Sequence, residues 1–579
     1  MRNYVYLIGI CFVLFCSWAV SQEEVYLGEG VTLEWTESWP SAKVYKINQS
    51  SDDGTELDNS WYPNGYTSDL DYIGKNLDGN DFISGFRFEV PELEQGEVVK
   101  YARLRLATQG GDVTSQVNLL IKGVAEDSPE TFSDNRRPSQ LPKTVAGVEW
   151  TIDEIWPSPG DGLVFYDSSP DLAGIINEIL ARPNWGQDEK AVILTIEDNG
   201  SPQGQTNYLK LEDRYNFETG DPAILEVYST LADAFVGKPL LGRPTDTSIT
   251  INVLNLLTID IYAEYGTDPG SYPCFTTPLL NQSAQEPIEI VIDTLQPDTT
   301  YYYRIRYKEP DDVAYLEGNE GRFHTQRPRG SGFVFAIQAD AHPYLPTNLG
   351  GGSVSGSKIK DWMVYEQTLN NIASDQPDFL IDLGDFVDIE AESYARNAFT
   401  FQEVVERYLE QRKYIDKITC SIPFYLVVGN HEAEQGWRTA EDDDLEEWAT
   451  LARKKVIPNP SPDVFYLGNH DDTACCGLRE DYYAWEWGDA LFVVLDPFWY
   501  TTKSPHWYTE YPRQGNGWEW TLGEEQYNWL YNTLHNSTVK WKFVFSHHET
   551  GGVKTGHNWY GRGGVESAKY KVESRPSFE

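Results

Sequence analysis

From about residue 24 to residue 235, short runs alternate apolar and polar positions, as in Ser84-Gly85-Phe86-Arg87-Phe88-Glu89-Val90 and Ala102-Arg103-Leu104-Arg105-Leu106. A period of two is the mark of half-buried strands. One stretch breaks it. Leu172, Ile175, Ile176, Ile179 and Leu180 fall on one helical face, and Arg182-Pro183 ends that helix. The region closes on the strand Ile224-Leu225-Glu226-Val227-Tyr228, and Gly237 to Pro244 forms a boundary. Strands return in 245–327, the clearest running from Thr299 to Tyr307. After Gln326-Arg327-Pro328-Arg329-Gly330-Ser331-Gly332 the pattern changes. Strands at Phe333–Ile337, Phe379–Leu383, Phe424–Val428 and Phe543–Phe545 alternate with helices near Lys358–Ile372, Phe401–Ile415 and Glu524–Leu534. The first of these helices aligns Trp362, Tyr365, Leu369 and Ile372. Such alternation predicts a layered α/β domain following two all-β domains.

The chain has 579 residues, enough for two to four domains. Hydrophobic residues make up 40% and aromatics 14%, which supports packed cores rich in β-structure. The net charge is −45, which repels nucleic acid, anionic membranes and phosphate substrates alike. A phosphate site on this chain therefore needs metal ions or local cations. Arg2, the apolar run from Tyr4 to Cys16, and the small residues Ala19 and Ser21 read as a signal peptide spanning 1–21. That leader predicts a secreted, periplasmic or extracellular protein. No later segment is apolar enough to span a membrane. Four cysteines follow the leader, Cys274, Cys420, Cys475 and Cys476, and their spacing fixes no pairing.

Histidine is confined almost entirely to the last domain. Of the nine, His324 ends the middle domain and the other eight lie from His342 onward. Four strand runs there each end on ligand-type residues: Asp340-Ala341-His342, Gly384-Asp385-Phe386-Val387-Asp388, Gly429-Asn430-His431-Glu432, and Ser546-His547-His548. The carboxyl ends of strands in α/β folds converge on the site. Each fragment alone is commonplace, but the four in order at strand exits point to a metal centre.

These motifs resemble the signature of the calcineurin-like metallophosphoesterase superfamily, closest to its purple acid phosphatase-like and alkaline phosphatase D-like branches. Residues 22–236 loosely resemble β-sandwich, carbohydrate-binding-like modules, with a possible polysaccharide partner. Residues 245–327 resemble a fibronectin type III domain, through Leu295, Pro297, Thr299 and Tyr301. Residues 332–579 then form a four-layer α/β phosphoesterase domain. The resemblance implies two divalent or trivalent metal ions, of Fe, Mn or Zn type, bridged by Asp385. Asp340 and His342 would complete one metal, and Asn430 and His547 would help hold the other. It also implies a phosphate-ester substrate attacked by a metal-bound hydroxide, with His431 as acid or oxyanion stabiliser and Glu432 orienting His431.

Two positions depart from the family pattern. Asp388 stands where purple acid phosphatases carry a metal-bound Tyr, so their colour is not expected. No Gly-His-x-His motif follows His547, and Gly556-His557-Asn558-Trp559 lacks the second His. The domain is therefore expected to be cut short before that motif. The leading expectation is hydrolysis of phosphate monoesters. Hydrolysis of diesters or nucleotides on the same metals is the alternative, and a non-catalytic extracellular binding protein with a decayed phosphatase domain is a third reading. Gly350–Ser357, and the aromatic loop of Trp507, Tyr508, Tyr511, Trp518 and Trp520, are candidate pocket walls.

Overall fold

The computed structural model describes residues 6–7, 42–47, 51–58, 60–62, 70–76, 78–113, 116–152, 165–202, 207–212, 223–341, 358–389, 401–437, 444–502, 517–520 and 522–547. Its amino-terminal part is a pair of six-stranded antiparallel sheets. One runs in the order Lys43–Lys46, Ile224–Tyr228, Tyr101–Val113, Asn207–Glu212, Leu70–Lys75, with Phe165–Ser168 also paired to the third. The other runs Ser60–Tyr62, Asp53–Leu57, Phe82–Glu89, Ala191–Asp198, Val117–Val124, Lys143–Ile152. Alternate residues of both sheets, among them Phe86, Phe88, Leu104, Leu106, Leu119 and Ile121, meet in one core. The helix Ala173–Leu180 adds Ile175, Ile176, Ile179 and Leu180 to it, the stripe that its sequence spacing predicts.

The abundant aromatics of this part read from sequence as core and inter-sheet packing, with a sugar-binding face as the alternative. In the structure Tyr45, Phe86, Phe88, Trp150 and Trp185 are buried in the core. No aromatic of this part is exposed among the described residues. Burial of their large apolar area outweighs display.

The middle part is a second two-sheet sandwich. Leu240–Gly242, Ile249–Leu254 and Pro287–Ile292 form one sheet, and strands centred on Ile259–Gly266 and Thr300–Lys308 form the other. The Gln296 N–H donates to the Tyr301 hydroxyl at 2.9 Å, so this Tyr does pin the chain at the start of its strand.

The last part holds the layered unit. Its first sheet is parallel: β1 (Phe335–Gln338), β2 (Phe379–Asp382) and β3 (Phe424–Leu426), in that order. Helices α1 (Lys358–Asp375), α2 (Phe401–Thr419) and α3 (Leu445–Val456) follow these strands in the chain. A second sheet runs β4 (Leu467–Gly468), β5 (Tyr483–Trp487), β6 (Ala490–Val494) and β7 (Trp541–Phe545), with Tyr6–Leu7 at its outer edge. Helix α4 (Gly523–Asn536) lies between β6 and β7 in sequence.

Three cores separate the layers. Phe379, Ile381, Tyr425, Val427, Trp485, Phe492 and Phe545 pack between the two sheets, where the Tyr425 and Trp485 rings stack 4.2 Å apart. Leu380, Phe424 and Leu426 point the other way, onto Leu369, Val404, Tyr408 and Ala449 of α1 to α3. Ala484, Leu491, Val493 and Val544 face Leu530 of α4. Each central strand is apolar on both faces, which is why its sequence reads as an unbroken apolar run. The result is helix, sheet, sheet, helix, as the four-layer expectation has it.

The middle sandwich is bolted to this unit. Arg412 of α2 is 1% exposed and donates to the side-chain and main-chain oxygens of Asn252 at 2.6 and 2.8 Å. The Tyr303 hydroxyl donates to the Cys420 carbonyl at 3.1 Å, and the Tyr466 hydroxyl to the Pro244 carbonyl at 2.6 Å. Among the described residues, no helix is long and apolar enough to cross a membrane.

Candidate metal centre

The ligand-type residues leave the sheets just past the carboxyl ends of β1, β2, β3 and β7. The chain after β2 is tied to both neighbours. Leu383 N–H donates to Gln338 O at 2.8 Å, and Val427 N–H to Asp382 O at 2.8 Å. Asp340 then donates its N–H to Gly384 O at 3.0 Å. Asp340 and Asp385 have φ of 54° and 53°, left-handed values that cost energy in most residues and that Asp tolerates better than most. Holding two acidic residues in that region aims both side chains into one space.

The two glycines play different parts. Gly384 has φ of 98° and makes the turn itself. Gly429 serves close approach: a Cβ there would lie 2.3 Å from Asp385 N, and one on Gly384 would lie 2.6 Å from Gly429 N. The ligand loops after β2 and β3 thus touch backbone to backbone. Glu432, fully buried, seals that contact by accepting from the N–H groups of Asp385 at 3.0 Å, Phe386 at 2.6 Å, Val387 at 3.3 Å and Gly429 at 2.5 Å.

Asp340, Asp385 and His547 come together with their ligand atoms all within 4.8 Å of one another. His547 Nε2 is 3.3 Å from Asp385 Oδ2. Its Nδ1 faces the Leu383 carbonyl at 3.0 Å, so Nδ1 carries a proton and Nε2 is turned toward the Asp385 carboxylate. Burial would lower the His547 pKa, but the carboxylates of Asp385 and Asp340 push it up to about 9. Burial would raise Asp385, yet His547 and His431 outweigh it and hold its carboxyl well below the ordinary range. Glu432 is pushed up to about 8 by burial and by Asp385. Asp385 and His547 are buried, and Asp340 is exposed at the edge of the cluster. Carboxylate oxygens with a tautomer-fixed imidazole nitrogen form a donor set that fits a transition-metal cation.

His431 lies beside this cluster, with its side chain 21% exposed. Its N–H donates to Asp385 Oδ1 at 2.9 Å and its Nε2 lies 3.7 Å from Asp385 Oδ2. Its Nδ1 is hydrogen-bonded to Asp388 Oδ1. Asp388 is thus a second acid set to orient the His431 ring, beside the expected Glu432. Glu432 is turned inward by four backbone donors and ties the two ligand loops together. Asn430 is 3% exposed in the same turn, and its carbonyl accepts from Gln435 Nε2 at 3.0 Å. His342, His557, Gly350–Ser357, Trp507, Tyr508 and Tyr511 lie outside the described residues. Trp518 packs on Tyr527, ring centroids 5.3 Å apart.

Behind the site stands a charged network that no motif announced. Glu434 accepts from Arg453 Nε at 2.5 Å and from Arg479 Nη2 at 2.8 Å, and none of the three is exposed. Arg479 Nε also reaches Asp481 at 3.2 Å, and its guanidinium lies 3.6 Å over the Trp499 ring. Asp496, just past β6, joins at 3.7 Å from Arg479. Phe498, two residues on, packs its ring 6.0 Å from that of His547. Buried acids and arginines scattered over 63 positions carry no local spacing that would have revealed them.

Residues 333–453 match the calcineurin-like phosphoesterase family. No curated protein matches the chain. Among solved structures it is similar to PhoD, at 17% identity over 53% of this chain and 61% of that one, with a TM-score of 0.39. It is also similar to the purple acid phosphatase PPD1 from yellow lupin (Lupinus luteus) seeds, at 10% identity over 87% of this chain and 73% of that one, with a TM-score of 0.40. The chain spans less than two thirds of the PhoD structure.

Proposed function

Residues 333–453 are a calcineurin-like phosphoesterase domain, and from that premise we propose that the chain is an exported hydrolase of phosphate monoesters that works with two metal ions. One observation carries the reading: Asp340, Asp385 and His547 converge, with the half-open ring of His431 beside them. Asp385 would bridge the ions, Asp340 and His547 would each hold one, and His342 and Asn430 complete the set that the resemblance implies. The chemistry such ions supply when held there is neutralisation of phosphoryl charge and acidification of water.

The protein's own groups do the rest. The Leu383 carbonyl keeps the His547 proton on Nδ1, and Asp388 holds the His431 ring so that Nε2 faces the space above Asp385. From there His431 donates a proton or hydrogen bond to the leaving or equatorial oxygen of the ester. The surface charge of −45 disfavours nucleic acid as substrate and small, metal-neutralised phosphates fit it better.

Export rests on the leader at 1–21, whose removal frees the edge of β7 that Tyr6–Leu7 pairs. The tyrosine-pinned sandwich supports reading 245–327 as fibronectin type III-like, and the preceding paired sheets support one module over 22–236.

The test is metal analysis with an assay panel on the full-length protein. Two transition-metal ions per chain and faster cleavage of nitrophenyl phosphate than of bis-nitrophenyl phosphate are expected, with activity lost on chelation and restored by metal. Faster diester cleavage would make it a phosphodiesterase. Metal-replete protein inert on both esters would leave a binding protein.

A further inference from the structure

Cys475 and Cys476 sit at the tip of a small hairpin, between strands Asp472–Thr473 and Gly477–Leu478, where Thr473 pairs with Gly477. Their sulfurs lie 2.8 Å apart, closer than two unbonded sulfurs pack. The hairpin is held from within and from α3. Thr473 Oγ1 donates to Gly477 O at 3.0 Å, and Lys454 Nζ of α3 donates to the carbonyls of Cys476 at 2.6 Å and Leu478 at 2.5 Å. These bonds hold the backbone that carries the two thiols. Gly477, with φ of 65°, supplies the left-handed residue that lets the chain pass through two cysteines and back into a strand. Among the described residues, neither sulfur touches Cys274 or Cys420, so each has the other as its near neighbour.

We propose that Cys475 and Cys476 are joined by a disulfide across their shared peptide bond, made by exchange with a small-molecule disulfide such as oxidised glutathione. Cys475 is the more accessible of the two and Cys476 is 4% exposed, so exchange begins at Cys475. Its thiolate attacks the small-molecule disulfide, forms a mixed disulfide and releases one thiol. The sulfur of Cys476 then gives up its proton, attacks Cys475 Sγ and expels the second thiol. The protein loses two electrons and two protons, and the carrier disulfide gains them as two thiols.

The bond has a structural use. Three residues past Cys476 comes Arg479, whose guanidinium holds Glu434, itself three residues past His431. A ring closed at the tip fixes the strand that delivers Arg479 to the back of the ligand loop.

The two cysteines share one tryptic peptide, Val456 to Arg479, with no internal Lys or Arg. Full-length protein equilibrated with oxidised glutathione is denatured in the presence of N-ethylmaleimide, digested and weighed. The expected peptide is lighter than the dithiol form by two hydrogens, unlabelled, and takes two labels only after reduction. In Cys475→Ser, the remaining Cys476 takes one label without reduction. Two labels on unreduced wild-type protein, or this peptide cross-linked to one bearing another cysteine, would overturn the proposal. The wild-type measurement stands alone if the variant does not fold.

Discussion

Asp388 holds Nδ1 of His431, while Asp385, three residues earlier on the same loop, accepts the backbone N–H of that histidine at 2.9 Å. One turn after β2 thus sets both the position and the ring orientation of a residue that follows β3. Replacing His431 by Ala should slow turnover by roughly 10²–10⁴-fold and spare metal content. The loss should be greater on alkyl phosphates, whose leaving groups need a proton, than on nitrophenyl phosphate. Asp388→Asn should keep the metal and lose about 10–100-fold, the usual effect of removing an orienting partner. An Asp388→Asn protein with full activity on both esters would show that the contact has no catalytic use.

Glu432→Gln tests the seal between the loops. The amide replaces one acceptor oxygen with a donor, which then faces backbone N–H groups that already point inward. Leaving buried donors unsatisfied costs about 1–3 kcal/mol. Thermal melting should fall and bound metal should decline together, because the loops carrying Asp385 and Asn430 lose their common anchor. A variant with wild-type melting but slow turnover would instead place Glu432 in the chemistry.

Two glycine replacements should have opposite signs. Gly429→Ala puts a methyl 2.3 Å from Asp385 N and 2.4 Å from Asp385 Oδ1, where backbone must move. Overpacking of this kind costs roughly 1–3 kcal/mol, and metal binding should suffer with it. Gly174→Ala, in the helix Ala173–Leu180, meets nothing within 4 Å and should stabilise by about 0.4–1 kcal/mol. Denaturant melts of both variants check the pair.

The pH test uses Asp496. Burial pushes its carboxyl up to about 7, with Asp481 adding to the rise and Arg479 opposing it. Its Oδ1 accepts from Phe498 N at 2.8 Å, an interaction that Asn keeps. The unfolded chain releases this proton near the ordinary carboxylate pKa, whereas the folded chain holds it until about pH 7. Between those values the folded state binds more protons, so the residue takes stability away as pH rises. Asp496→Asn should therefore match wild type near pH 4, gain relative to it up to about pH 7, and keep that gain above. Parallel pH–melting curves would refute the assignment.

The metal motifs were legible because each ligand follows a strand that reads as an apolar run, so position and chemistry coincide in sequence. Helix α1 showed through its single apolar face, and α2 and α4 through the strand–helix alternation. Helix α3 did not, since the residues it turns inward include Glu446, Thr450 and Arg453, and buried ion pairs blur the periodicity. Strand β6 is buried on both faces and gives no alternation. The partnership of Asp388 with His431 joins residues 43 apart and exists only once the two loops meet. Spacing cannot distinguish a glycine that turns the chain from one that, like Gly429, serves close approach.

The junction with the middle sandwich bears on how such a protein can be divided and inherited. Arg412 and Tyr466 belong to the phosphoesterase unit, but the oxygens they need, on Asn252 and Pro244, come from the sandwich before it. Leu240 even sits in the helix-side core of the catalytic layers. A gene fragment beginning at residue 332 would encode every recognised ligand and still strand a buried guanidinium. The stretch that a family signature marks out is thus smaller than the stretch that recombination could move intact, and the sandwich travels with the chemistry as part of one heritable body.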